Sequence, residues 1–324
     1  MTTPTADAGA PKRSRREQGV IFGLSAYFLW GLFPLYWPLL KPAGPLEILA
    51  CRVVFSLLFV LLILAVTRNW AWVRPVLRDK RRMGLLTIAS ILIAVNWGVY
   101  IYAVNSGQVV QGSLGYFANP LVTIGIGVIV LHEKLRKMQW VAVGLGAAAL
   151  AVLTFAFGGV PWISLVLAFS FAFYGLTKKT VNMGSVESLA VETAILFLPM
   201  LAFLAWVEVS GRGSLFNHTP GHFALLASTG VVTAVPLLFF GGAATRVPLS
   251  WIGIMQYLGP VMQFLIGVLI LHEPMTAGRW IGFSLVWIAL IILTADSLQA
   301  IRRGRADRAD VTLDEVTGDA AEAH

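Results

Sequence analysis

Two ionisable side chains, Arg52 and Glu192, stand 140 residues apart, each inside a long apolar stretch. An ionisable group in hydrocarbon is costly and faces either a cavity or a partner. For Arg52 the sequence leaves open a chain that snorkels to the outer face or bonds carbonyls and one that orients a solute. Glu192 is read as a cavity-lining group and the candidate for proton coupling. Amides and rings fall in neighbouring stretches: Asn96, Tyr100 and Asn105, then Tyr116 and Asn119, with Trp30, Tyr174 and Gln256 elsewhere. Asn96 and Tyr100, four apart, share a helical face. Together such groups form a pocket suited to a neutral or amphiphilic solute. Pro120 and Pro260 each free the carbonyl four residues back, that of Tyr116 or of Gln256, so they are hinge candidates; the alternative is a static kink. No catalytic set accompanies them. The sequence has no Gly-rich phosphate loop beside a Lys, no nucleophile elbow and no metal-ligand spacing, and Cys51 is its single cysteine. The chain is read as a non-enzyme without metal or cofactor.

The elements that position these groups follow from composition. The 324 residues are 57% hydrophobic and 12% charged, about half the charged fraction of a soluble domain, with a mean hydropathy of +0.78. Apolar runs of roughly 20 residues, enough to cross a bilayer, recur along the chain. They predict ten helices over 19–40, 46–66, 83–105, 109–131, 139–157, 162–177, 186–207, 223–245, 247–271 and 280–297. The runs are continuous rather than alternating, which excludes a barrel. The basic stretch before residue 19 resembles the start of a signal peptide, but no small-residue cleavage site follows, and a retained first helix is expected. Trp37, Trp70, Trp72 and Trp162, near predicted helix ends, are expected in the interfacial belt.

Charge placement gives the orientation. With the N-terminus inside, twenty of the 24 Lys and Arg residues fall on the cytoplasmic side, Lys178 among them. Only Lys41, Arg212 and Arg279 fall outside, so both termini are expected in the cytoplasm. The net charge of +8 then reports topology and attraction to anionic lipid rather than a nucleic-acid groove. Residues 1–18 form a basic cytoplasmic segment, and the acidic stretch 299–324 is expected to be a disordered cytoplasmic tail.

A repeat organises the rest. "VIVLHEK" at 128–134 returns as "VLILHEP" at 268–274, and the same offset joins Pro120, Gly127 and Trp140 to Pro260, Gly267 and Trp280. Five helices per copy is an odd number, so the second copy, 158–298, must cross in the opposite sense to the first, 19–157. The loop charges follow the flip: Lys134, Arg136 and Lys137 become Pro274, Thr276 and Ala277, and Ser106 becomes Arg246. Inverted repeats of this kind enclose a central site. Arg52 and Glu192 are repeat mates that enter from opposite faces, which leaves about 12 Å of depth between their backbones and argues against direct pairing. The His132–Glu133 and His272–Glu273 pairs mark where helices leave the lipid.

Two five-helix units, each closing on "LHE", resemble the EamA domains of the drug/metabolite transporter superfamily. "EQGVIFGLSAYFLWGLFPLYWPLL", "NWGVYIYAVNSG" and "SLGYFANPLVTI" resemble its RarD branch, and Arg52 after "GPLEILAC" matches a position where the family often has Arg. Glu192 departs from that pattern in the second unit. The resemblance implies a ten-helix, multi-pass permease of the cytoplasmic (inner) membrane with a central substrate cavity, leaning toward export. Its partners would be a small-molecule solute, membrane lipids and protons, with a monomer and a weak homodimer both open. The competing readings are a membrane-embedded lipid-modifying enzyme, for which the two "HE" pairs stand on opposite faces, and a non-transporting sensor.

Overall fold

The computed structural model describes residues 15–131, 135–181, 183–296 and 298–299. Expectations for the first fourteen residues, for His132 and Glu133, and for the tail beyond 299 lie outside the described residues. Among the described residues the long helical segments are α1 (Arg15–Leu40), α2 (Pro45–Thr67), α3 (Lys80–Asn105), α4 (Val109–Leu131), α5 (Lys137–Ala156), α6 (Trp162–Val181), α7 (Ser185–Val209), α8 (Pro220–Ala244), α9 (Trp251–Ile270) and α10 (Ala277–Asp296). All but α4 and α6 meet strict length and hydropathy limits for crossing a membrane, giving eight candidate spans. α4 carries no charged residue, and the two charges of α6, Lys178 and Lys179, lie in its last turn. No strand occurs among the described residues.

In lipid every backbone polar group must be satisfied internally, which selects helices. The outer faces are correspondingly apolar: Val209 is 90% exposed, Phe155 86% and Val66 77%. The principal core lies between the two halves of the chain. It packs Trp37, Ile48 and Ala50 against Ile163, Leu189 and Leu226.

The helices depart from the sequence reading where prolines fall. α1 is already helical at Arg15, ahead of the expected residue 19, and it breaks at Leu32 into a short helix Phe33–Tyr36 and a 3-10 turn Trp37–Leu40, with Pro34 and Pro38 inside these pieces. α9, expected to be continuous over 247–271, is broken at Gln256–Tyr257. The break falls at the residue whose carbonyl Pro260 deprives of a donor, and the helix ends in a π turn at Ile266–Ile270. Pro120 produces no such break; α4 runs through it.

The largest contacts among α1–α4 and α6–α9 pair up under exchange of each helix with the one five later. α4 packs on α6 as α9 packs on α1, α3 on α6 as α8 on α1, and α2 on α8 as α7 on α3. The α2–α7 and α4–α9 contacts map onto themselves. Glycines permit the closest approaches. A Cβ on Gly230 of α8 would strike the backbone of Phe55 in α2, and one on Gly115 of α4 would sit 2.8 Å from the Ser164 carbonyl in α6. Gly230→Ala is therefore expected to destabilise the fold by about 1–3 kcal/mol, read as a lower melting temperature in detergent. Gly144→Ala, where no atom lies within 4 Å, should leave it unchanged.

Candidate functional site

Arg52 is 3% exposed, so it does not snorkel, and no carbonyl among the described residues accepts a hydrogen bond from it. Its Nε donates to Thr233 Oγ1 of α8 at 2.8 Å. Its guanidinium lies 3.8 Å from the Trp97 ring centre, 5.2 Å from Trp37 and 5.6 Å from Phe33. Three ring faces thus offset part of the cost of a buried cation. Trp37 is accordingly no interfacial belt residue: it is fully buried, whereas Trp70 and Trp162 are 44% and 48% exposed. Burial of Arg52 requires such rings, and the i, i+4 spacing of Phe33 and Trp37 was the available signal.

Glu192 lies on α7, 1% exposed, and does not meet Arg52. Its carboxylate takes a proton from Lys178 Nζ at 2.9 Å, one from Ser188 Oγ at 2.6 Å and one from Tyr174 Oη at 3.1 Å. Lys178 Nζ also donates to Ser188 Oγ. Lys178, placed among loop cations by sequence, is thus the internal counter-ion, contributed by the last turn of α6. Nothing in the residue types alone distinguished it from its exposed neighbour Lys179.

A row of rings bridges the two charges. Tyr100 meets Tyr116 at 5.4 Å between ring centres, Tyr116 meets Phe171 at 6.0 Å, and Phe171 meets Tyr174 at 6.1 Å. Asn96 braces the row from behind: its Nδ2 donates to the Leu167 carbonyl and to Ser170 Oγ, and its Oδ1 accepts from Tyr116 Oη at 3.0 Å. Asn96 is a clasp between α3, α4 and α6 rather than a free lining amide. Asn96, Tyr100, Tyr116, Tyr174 and Glu192 are therefore brought into one connected set, and Tyr100 stands one turn along α3 from Trp97, the ring nearest the Arg52 guanidinium. Trp30 packs separately, edge-on against Tyr27 and tilted against Phe240, and its carbonyl accepts from Gln263 Nε2. Asn105 and Asn119 keep buried Oδ1 atoms without a partner among the described residues, and Gln256 sits at the α9 break. Two surface grooves of about 440 and 450 Å³, lined by Phe117, Trp287 and Ile291 and by Leu24, Phe28 and Leu258, reach none of these residues.

Acidic side chains at the helix ends tie the halves together around this set. Glu47 of α2 accepts from Ser214 N and Oγ at 2.6 and 2.9 Å, and its repeat mate Glu187 of α7 accepts from Asn69 Nδ2 at 3.0 Å. Glu273 accepts from Val109 N and Val110 N, at 2.5 and 2.9 Å, capping the first turn of α4. Burial pushes its carboxyl above the ordinary range, and those two amides and Arg279 pull it partly back. The second "LHE" thus ends one helix, with His272 in the left-handed region at φ 54°, and caps another in the opposite half.

Residues 17–155 and 158–295 each match the EamA-like transporter family. The chain belongs to this family. It is 57% identical over 293 residues to Protein RarD of Streptomyces exfoliatus, covering 90% of this chain and 93% of that one. The uncharacterized transporter YojE of Bacillus subtilis is 39% identical over 301 residues (91% and 99%), and Protein RarD of Escherichia coli K12 is 38% identical over 288 residues (89% and 97%). A solved crystal structure covering 86% of this chain and 98% of its own aligns with a TM-score of 0.56 at 15% identity, which shows a shared fold. This EamA-like protein is thus a multi-pass membrane permease of the RarD type, and the Arg52 and Glu192 clusters lie inside it.

Removing one member of a buried ion pair strands the other. Lys178→Met is expected to lower stability by up to about 3 kcal/mol, and Lys178→Met with Glu192→Gln to recover most of it. Melting of the single and double variants in detergent checks this.

Proposed function

We propose that the protein is a secondary transporter that moves a small organic metabolite or drug-like solute across the cytoplasmic membrane by alternating access. Its ten helices would all cross, as two five-helix halves in opposite senses with both termini in the cytoplasm. The observation that carries this reading is the pair of buried charge clusters joined by a ring row where the two halves meet. Such groups are expensive in lipid and mark solute or proton pathways.

Interactions between helix ends support ten crossings. If the chain crosses ten times, odd-numbered connections share one face and even-numbered ones the other. Glu47, after the first connection, meets Ser214 in the seventh, and Glu273 in the ninth meets the end of the third at Val109. Asn69 in the second meets Glu187 after the sixth, and Arg82 after the second donates to the Val181 carbonyl before the sixth. Arg136 in the fourth pairs with Asp296, which closes α10, at 2.6 Å. Each pairing keeps parity, and the face with the even connections holds the concentrated cations. The exchange-symmetric helix contacts support a two-fold between the halves, the arrangement that allows them to rock about a fixed site.

Glu192 serves as the coupling group. Its protonation would neutralise one partner of Lys178 and loosen the α6–α7 clasp beside the solute path, and the broken α9 supplies a place to bend. Transport runs outward in this reading, the direction to which the family resemblance leans. Solutes that raise the melting temperature of the purified protein can be loaded into proteoliposomes and followed with and without an imposed pH gradient. Flux that depends on the gradient in the wild type and loses that dependence in Glu192→Gln is the expected result. An unchanged rate and pH dependence in that variant would remove Glu192 from coupling.

A further inference from the structure

The hydrogen-bonding capacity around Arg52 is one-sided. Only its Nε is bonded, to Thr233 Oγ1, so its two terminal nitrogens make no hydrogen bond among the described residues. No described carboxylate answers the charge. Glu192 is held by Lys178, Glu47 by Ser214, Glu187 by Asn69 and Glu273 by Val109 and Val110. Two further buried groups in the neighbourhood have no partner among the described residues: Trp37 Nε1, on a ring whose centre is 5.2 Å from the guanidinium, and Tyr100 Oη, on the residue one turn along α3 from Trp97. Indole nitrogen only donates, guanidinium nitrogens only donate, and a phenol donates readily.

Ring faces and one hydroxyl leave a buried guanidinium under-compensated, and an unpartnered buried donor costs about 1–3 kcal/mol. Three sets of unused donors gathered around one buried cation offer a cradle for an acceptor-only group. A carboxylate fits the guanidinium fork in a two-pronged arrangement that an amide or hydroxyl does not reproduce. The row Tyr100, Tyr116, Phe171 and Tyr174 leads away from it and offers flat apolar surface to whatever the carboxylate is attached to.

We infer that the Arg52 box is the anion subsite of the solute path, and that the carried solutes are organic carboxylates with a flat apolar body. This rests on the transporter reading for the statement that such solutes are carried. The subsite itself can be tested by binding alone.

The test uses the full-length protein purified in detergent and three probes of one shape: phenylacetate, phenylacetamide and phenethylamine. Binding is read from quenching of tryptophan fluorescence, since Trp37 and Trp97 flank the site, and from thermal shift. Phenylacetate should bind at least about tenfold more tightly than the amide or the amine, the size of one charge-assisted hydrogen bond. Arg52→Gln should erase that preference. Tyr100→Phe should weaken phenylacetate about 2–10-fold without lowering the melting temperature, because it deletes a hydroxyl that has no partner among the described residues. That last combination separates a ligand group from a structural one, and it holds even if Arg52→Gln fails to fold. No binding of phenylacetate, equal or tighter binding of the amide or amine, or a Tyr100→Phe variant that melts lower with unchanged affinity overturns the assignment. Saturable proteoliposome transport by a protein without anion preference removes this subsite and leaves the transporter reading intact. Anion binding without transport of any solute does the reverse.

Discussion

A polar group surrounded by hydrocarbon has to find its partner within the protein, and nearly every specific feature of this fold answers that demand. The apolar helices have little reason to prefer one neighbour over another, since lipid tails are as apolar as leucine. Direction comes from the few groups that cannot face lipid. Arg52 gathers Phe33, Trp37, Trp97 and Thr233, which fixes α1, α3 and α8 around α2. Glu192 gathers Lys178, Tyr174 and Ser188 and fixes α6 on α7. Asn96 does the same for α3, α4 and α6.

The same demand accounts for the helix ends. Glu47, Glu187 and Glu273 satisfy backbone or side-chain donors in the opposite half of the chain, so segments that are far apart in sequence are held together. Close glycine contacts, with Gly230 on Phe55 and Gly115 on Ser164, bring the backbones near enough for these short side chains to reach. In the alternating-access reading proposed above, a small number of polar clasps would be exchanged while the apolar surfaces slide.

Much of this was legible in the residues. Length and hydropathy located the helices to within a few positions, the 140-residue offset revealed the duplication, and Arg52, Glu192, Tyr100, Tyr116 and Tyr174 stood out because they are polar in apolar runs. What stayed hidden was partnership. Lys178 and Lys179 are chemically identical, and only the rotation of α6 decides which one faces Glu192. Trp37 sits near a predicted helix end like Trp70, and only the break at Leu32 turns it inward. Asn96 reads as a pocket amide until the Leu167 carbonyl and Ser170 from a distant helix occupy it. Pro120 and Pro260 occupy equivalent repeat positions, yet one helix breaks and the other does not.

Equivalent points of the two halves provide the most direct test of the arrangement. Ser106 and Thr245, the latter adjacent to the repeat mate of Ser106, are both exposed and can be replaced singly by cysteine after Cys51→Ser removes the buried native thiol. With a membrane-impermeant maleimide applied to intact cells, the account predicts labelling at Ser106→Cys, and labelling at Thr245→Cys only after the membrane is opened. Labelling of both positions from the same side would contradict it.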